Sequence, residues 1–212
     1  FYICVIVQDA AGNSSTVLSQ PMSRLWKVLA GDNNQGDGGS VSAGNVRFNH
    51  PTELTTDSKG NLYVYDDYYA VLRVITPEGK IQRVVGNGRV AAPVNGPGLE
   101  SSIPAVVSIS VDSNDDLWLA GSYGVWKVII PKAPGEVTKI KQYISYPIVA
   151  VTIDKKMVGA VSADVMYFSW YNSLNTGQPV SAAQSYIYKM TRAQLESQSA
   201  PLSLPDLKAN YI

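Results

Sequence analysis

The chain has 212 residues, of which 45% are hydrophobic and only 16% charged, against about 25% charged in an average globular domain. Seventeen basic residues balance seventeen acidic ones, which leaves no net field to draw nucleic acid or an anionic membrane, and no apolar run reaches the ~20 residues of a membrane helix. Thirteen tyrosines, four tryptophans, seventeen glycines and twelve prolines predict short strands and frequent turns, in one large or two small domains.

Residues 1–7, FYICVIV, read as an apolar strand, Asp9-Ala10-Ala11-Gly12-Asn13 as a tight turn, and residues 15–20 as a second strand. Phe1 opens in mid-strand with no leader before it, so the chain is expected to be a piece of a longer one. Cys4 is the single cysteine and excludes an internal disulfide or a cysteine-based zinc site. On this strand it reads either as a buried, inert thiol or as half of a disulfide whose partner lies upstream. Asn13-Ser14-Ser15 matches a glycosylation sequon, which matters only in a eukaryotic secretory host. Pro21 closes the segment and places a boundary between residues 1–21 and 22–212.

Beyond it, residues 26–30 read as a strand and 31–49 as a long loop rich in glycine and asparagine. Strands follow over 53–56, 62–65, 71–75 and 81–85, then a Gly/Pro loop over 86–102. The pattern then repeats. Shifted by 55, Asp57-Ser58 falls on Asp112-Ser113, Leu62 on Leu117, Val64 on Leu119 and Tyr68 on Tyr123. One residue is dropped before Arg73-Val74-Ile75 meets Lys127-Val128-Ile129. Upstream, Lys27-Val28-Leu29-Ala30-Gly31 answers Gln82-Arg83-Val84-Val85-Gly86. The second unit is expected over 106–111, 117–120, 125–129 and 137–143. A looser third runs over 149–153, 166–170 and 186–190, with an inserted loop over 171–185. Thr191-Arg192-Ala193-Gln194 has the capping-box pattern and predicts a short helix over 192–198. Units of short alternating strands at a fixed period mark an array whose neighbours bury each other's faces.

Four antiparallel strands per unit is the plan of a β-propeller blade. Pro51, Asp57, Gly60-Asn61, Leu62-Tyr63-Val64, Asp66 and Arg73-Val74 resemble an NHL repeat. The second unit departs from that pattern, with Asn114-Asp115-Asp116 for the Gly-Asn turn and Ala120-Gly121 for the closing aspartate. The third keeps Pro147, Asp154 and the aromatic strand. The hairpin FYICVIVQDAAGNSSTVLSQ, with Tyr2-x-Cys4, resembles the last two strands of a bacterial immunoglobulin-like or fibronectin-III-like domain. The fold expectation is therefore all-β: an incomplete NHL-type propeller of four-stranded blades behind an immunoglobulin-like hairpin. Three units do not close a ring, so further blades from the parent chain or another chain are implied.

Several motifs fail on inspection. Gly86-x-Gly88-x-x-Ala91 has dinucleotide-fingerprint spacing, but Pro93 and Pro97 forbid the helix it needs. Gly121-Ser122-Tyr123-Gly124 sits near a nucleophile-elbow pattern, yet a strand follows and His50 is the sole histidine. That single histidine also cannot assemble a zinc lyase or hydrolase site, so no catalytic and no metal residue is assigned. Asp112-x-Asn114-x-Asp116 and Asp32-x-Asn34 echo calcium loops without the glycine and bidentate glutamate of the EF-hand. They read as Asx turns, with weak calcium as the alternative; no other cofactor is expected.

The loop joining the second and third strands of each unit carries Asp66-Asp67-Tyr68-Tyr69, then Ser122-Tyr123, then Tyr171-Asn172. Tyrosine beside Asp, Asn and Ser combines stacking area with hydrogen-bonding tips, suited to a protein or sugar surface. The competing reading is that these tyrosines fill gaps between blades. The NHL resemblance implies an interaction platform, hence an extracellular or cell-surface binding module for a protein or glycan. Two alternatives stay open: a propeller enzyme of the lyase or lactonase kind with its catalytic residues on other blades, and a spacer in a surface fibre.

Overall fold

A computed structural model of the chain describes residues 4–8, 14–18, 29–31, 46–155, 157–158, 161–171 and 185–203. The protein is all-β apart from one short helix among the described residues. The hairpin at the N-terminus pairs β1 (Cys4–Gln8) with β2 (Ser14–Leu18), from Cys4 opposite Leu18 to Gln8 opposite Ser14.

Three antiparallel sheets follow in chain order. The first is a meander of β3 (Pro51–Thr56), β4 (Leu62–Asp66), β5 (Val71–Ile75) and β6 (Ile81–Val85). The second has β8 (Val106–Val111), β9 (Leu117–Gly121), β10 (Gly124–Ile129) and β11 (Lys139–Ile144), with the two-residue β7 (Gly96–Pro97) added outside β11. The third has β12 (Ala150–Asp154), β15 (Val165–Tyr171) and β16 (Ser185–Thr191). A small hairpin, β13 (Met157–Val158) with β14 (Val161–Ser162), stands where the other sheets have a tight turn. The first strands lie side by side, β3 next to β8 and β8 next to β12.

The repeat legible in the sequence is reproduced in the first two strands of the first and second sheets. Its match of Arg73 to Lys127 is not: Arg73 lies opposite Val64, whereas Leu119, 55 residues on from Val64, lies opposite Trp126, which puts Lys127 on the other face. A bulge falls between Pro51 and Glu53 where β3 meets β4, and between Val106 and Ser108 where β8 meets β9. These are the same positions 55 residues apart. A bulge bends and twists its strand locally, so repeating it gives successive sheets the same curvature.

Side-chain alternation then stacks the sheets. Tyr63 and Tyr65 of β4 enter one core with Leu117, Leu119, Trp126 and Val128 of the second sheet. Leu62 and Val64 point the other way, into a cluster with Val46, Phe48, Ile75, Ile81 and Ala30. In β9, Trp118 and Ala120 leave Leu117 and Leu119 behind and join Met166, Phe168, Trp170, Tyr188 and Leu195 of the third sheet. Period-2 patterning thus feeds two cores from one strand.

The helix α1 (Arg192–Glu196) starts directly after β16 with the capping box expected of it. Thr191 Oγ1 accepts from the Gln194 N–H at 3.2 Å, and Gln194 Oε1 accepts from the Thr191 N–H at 2.9 Å. It ends two residues earlier than the sequence suggests. The chain then runs back to the second sheet, where Leu202 bridges Ile144 of β11. Residues 26–30 were expected as a strand; Leu29 and Ala30, the two described, are not in one. No described helix is long and apolar enough to cross a membrane.

Candidate functional site

Each sheet has two ends, and they differ chemically. At one end lie the turns between first and second strands. Asp57 closes β3: its Oδ1 accepts the N–H of Lys59 and of Asn61, both at 2.9 Å, and its Oδ2 accepts from Tyr63 Oη at 3.2 Å. Asp112 closes β8 in the same way. Its Oδ1 accepts the N–H of Asn114 at 2.8 Å and of Asp116 at 3.0 Å, and its Oδ2 accepts from Trp118 Nε1 at 3.0 Å. An aspartate, two turn amides and a ring donor six residues on recur as one device. Burial, with Asp57 beside it, holds the Tyr63 hydroxyl far above its ordinary value, so it remains a donor.

The turns also clasp their successors. Ser58 donates its N–H and hydroxyl to Asp115, at 2.9 and 2.7 Å. Ser113 donates the same pair to Asp164, at 2.9 and 2.8 Å. Asp115 holds a φ of 59° to do so, at the position where the first unit has Gly60 at 80°.

Around Asp112 a buried ionic cluster joins the second and third sheets. Lys127 Nζ reaches Asp112 Oδ2 at 3.3 Å, Asp116 Oδ2 at 3.1 Å and Glu196 Oε1 at 2.6 Å, and lies over the Trp118 ring. Arg192 Nη1 lies 3.2 Å from both Asp112 and Asp164. Lys132 adds a contact to Asp116 at 3.0 Å. Burial pushes the Asp112 carboxyl up, but the Trp118 indole, Lys127, the Asp116 amide and Arg192 together hold it below the usual carboxylate range. Burial likewise pulls Lys127 down, and Glu196, Asp112 and Asp116 outweigh it, leaving the ammonium above its ordinary value. Among the described residues no group of acids, histidines and cysteines is arranged to hold a metal ion. The carboxylate oxygens of Asp112 and Asp116 face ammonium, guanidinium, indole and amide donors.

At the opposite end lie the turns between second and third strands, which carry the residues singled out from the sequence. Tyr68 and Tyr123 are 68% and 49% exposed. Tyr69, half-buried, meets Tyr68 edge-on with ring centroids 5.2 Å apart. Ser122 is exposed beside Tyr123. Asp67 Oδ2 lies 3.5 Å from His50 Nδ1. Asp66 is different: it is fully buried, and its Oδ2 accepts the Asn49 N–H at 2.9 Å, which pins the chain entering β3. Tyr171 ends β15 at this same end, and Asn172 lies outside the described residues.

The connection over 86–105 joins the two tyrosine turns. A side chain at Gly86 would collide with the Ala70 carbonyl, and one at Gly121 with the Ala105 carbonyl, so the connection touches one turn at its start and the other at its finish. In between, Asn95 Oδ1 accepts the Gln142 N–H at 2.8 Å while Gln142 Nε2 donates to the Tyr123 carbonyl at 3.0 Å. Val90, Val94 and Leu99 of this connection are exposed, and Arg89 and Glu100 are its charged residues. The outcome is an aromatic and aliphatic end, with the ionic cluster at the far end. Sequence reading found the tyrosines; it did not find the three aliphatic residues, which no periodic pattern links to them, or the cluster.

A comparison with protein-family models finds no match, and no curated protein sequence matches the chain.

Proposed function

We propose that the three sheets are successive blades of an NHL-type β-propeller occupying residues 22–212, behind the last hairpin of an immunoglobulin-like module at 1–21. In this reading the chain is an extracellular binding module whose tyrosine-bearing end contacts a partner surface. The repeated bulge, the repeated aspartate turn and the face-to-face stacking support the blades. The extracellular placement rests on the resemblance of the first hairpin to secreted modules.

One observation carries the binding role: Tyr68 and Tyr123 occupy equivalent turns at one end and both stand exposed, joined by a connection that exposes Val90, Val94 and Leu99. Interface cores are enriched in aromatic residues and depleted of charge, and isolated aliphatic side chains suit a protein surface better than a sugar. A protein partner is therefore the primary reading.

The test is binding of the labelled protein to intact cells and to a glycan array. Tyrosines seated in an interface contribute on the order of 2 kcal/mol each, roughly thirty-fold in affinity. Tyr68→Ala with Tyr123→Ala should abolish cell binding and leave the melting curve unchanged, because both rings are exposed. Protease treatment of the cells should remove the binding as well. Retention on the glycan array instead would shift the reading to a sugar ligand, and unaltered cell binding by the double variant would refute the site.

A further inference from the structure

Asn87-Gly88 and Asn95-Gly96 are the chain's two asparagine–glycine pairs, and both fall in the connection over 86–105. A glycine after asparagine leaves its backbone nitrogen unshielded, because it has no Cβ to keep that nitrogen from the asparagine's amide carbon, Cγ. Attack of the nitrogen on Cγ closes a succinimide ring. Both asparagines are exposed, so access to water does not separate them. Their backbone surroundings do.

Gly96 belongs to β7 and lies opposite Ile140 of β11. Two residues on, the Gly98 N–H donates to the Thr138 carbonyl at 2.7 Å, and the alternation of an antiparallel ladder gives the Gly96 N–H the same role toward Ile140. The Gly96 nitrogen is thus held in the sheet with its proton engaged. The Asn95 side chain is turned to the same sheet, where its Oδ1 accepts the Gln142 N–H at 2.8 Å. Asn87 is placed differently. Its Oδ1 accepts the Arg89 N–H at 3.1 Å, and the ring closed by that bond contains the Gly88 nitrogen. The turn therefore holds Cγ and its attacker together, with the carbonyl polarised by a donor. Nδ2, the leaving group, donates to the Glu100 carbonyl at 2.9 Å. Gly88 lies outside the strands, at a φ of 85° that favours glycine.

We propose that Asn87 is a modification site at the tyrosine end, where the chain deamidates itself. Hydroxide removes the Gly88 amide proton, and the nitrogen bonds to Asn87 Cγ. Nδ2 leaves as ammonia, taking up a proton from water, which restores the hydroxide. Water then opens the succinimide at either carbonyl, leaving aspartate, or isoaspartate with the chain rerouted through Cβ. Either product carries a carboxylate in place of the amide that held Glu100, two residues from Arg89. A Cβ at Gly88 would lie 3.9 Å from the Tyr69 carbonyl, so the change falls beside the tyrosine pair, and this end gains negative charge as the protein ages. The inference rests on covalent chemistry and stands whether or not that end binds a partner.

Incubation of the full chain at mildly alkaline pH, followed by tryptic mapping, tests this. Trypsin releases Asn87 in the peptide 84–89 and Asn95 in the peptide 90–127. In the folded protein the first should convert to its aspartate and isoaspartate forms about tenfold faster than the second, the factor that one lost ladder hydrogen bond sets. In concentrated guanidinium chloride, where no sheet remains, the two should convert at similar rates. Asn87→Gln should suppress the acidic species that isoelectric focusing shows to accumulate, and because Asn87 is exposed the circular dichroism should be unchanged. Conversion of Asn95 as fast as Asn87 in the folded protein overturns the proposal. So does a folded protein whose Asn87 is still intact after the time in which the denatured chain has converted.

Discussion

Replacing Asp112 by asparagine changes no volume and removes one charge, so it isolates what the ionic cluster contributes. Asp112 is fully buried. An amide oxygen at Oδ1 still accepts the N–H groups of Asn114 and Asp116. The amide nitrogen at the other position then faces three donors, Trp118 Nε1 at 3.0 Å, Arg192 Nη1 at 3.2 Å and Lys127 Nζ at 3.3 Å. Removing one partner of a buried ion pair costs about 3–5 kcal/mol. Asp57→Asn is the matched control. Its Oδ2 accepts from the Asn61 side-chain amide at 2.7 Å and from the Tyr63 hydroxyl at 3.2 Å, and both groups can turn to offer an acceptor. The cost there should be that of one altered neutral hydrogen bond, about 1 kcal/mol. At 2–4 °C per kcal/mol for a chain of this size, Asp112→Asn should lower the melting temperature by about 6–20 °C and Asp57→Asn by about 2–4 °C. Tryptophan fluorescence, with Trp118 in the cluster, is the assay. Equal losses for the two variants would refute the claim that the second turn carries an ionic function the first does not.

Acid should loosen the same cluster. Because Asp112 sits below the usual carboxylate range, its contribution is present above the unfolded value near 4 and is lost as pH falls through the lower folded value; a stability profile from pH 7 to 2 should drop there, and Asp112→Asn should flatten the drop. Lys127 sits above its ordinary value, so its contribution holds below about 10.4 and is lost above that, a fall that alkaline denaturation should show and Lys127→Met should remove. A double-mutant cycle on Ser113 and Asp164 should give a coupling of about 1–2 kcal/mol, larger than the Ser58–Asp115 cycle, because Asp164 is buried and Asp115 only half-buried; equal couplings would contradict the account. Leu195→Ala should cost about 2–4 kcal/mol, since this α1 side chain is fully buried in the core between the second and third sheets, whereas Ala193→Ser on the exposed side of the helix should leave the denaturation midpoint unchanged.

What could be read from the sequence was local or periodic. The Asp57 and Asp112 turns, the alternating faces of Leu62-Tyr63-Val64-Tyr65 and the capping box at Thr191 each depend on neighbours within six residues, and each is found as expected. The cluster around Lys127 was out of reach because Glu196 lies 69 residues away in sequence and because Arg192 and Asp164 belong to the least regular unit. The hairpin β13–β14 went unseen for a related reason: it replaces a turn, so the period breaks where it is inserted. Asp66 was grouped with the tyrosines because an acid beside exposed aromatics suggests recognition. Its Oδ2 accepts the Asn49 N–H, 17 residues earlier, a contact that spacing does not announce. Asp115 shows the opposite limit: a departure from the Gly60 pattern supplies the carboxylate that holds Ser58.

The central claim is that one end of the molecule meets its partner. Hydroxyl-radical footprinting of the protein bound to intact cells, compared with the free protein, tests it directly. Protection should fall on Tyr68, Tyr69 and Tyr123 and on the exposed Val90, Val94 and Leu99, with the turns at 57–61 and 112–116 labelled equally in both states. Protection confined to those two turns, with the tyrosines labelled alike bound and free, would contradict the account.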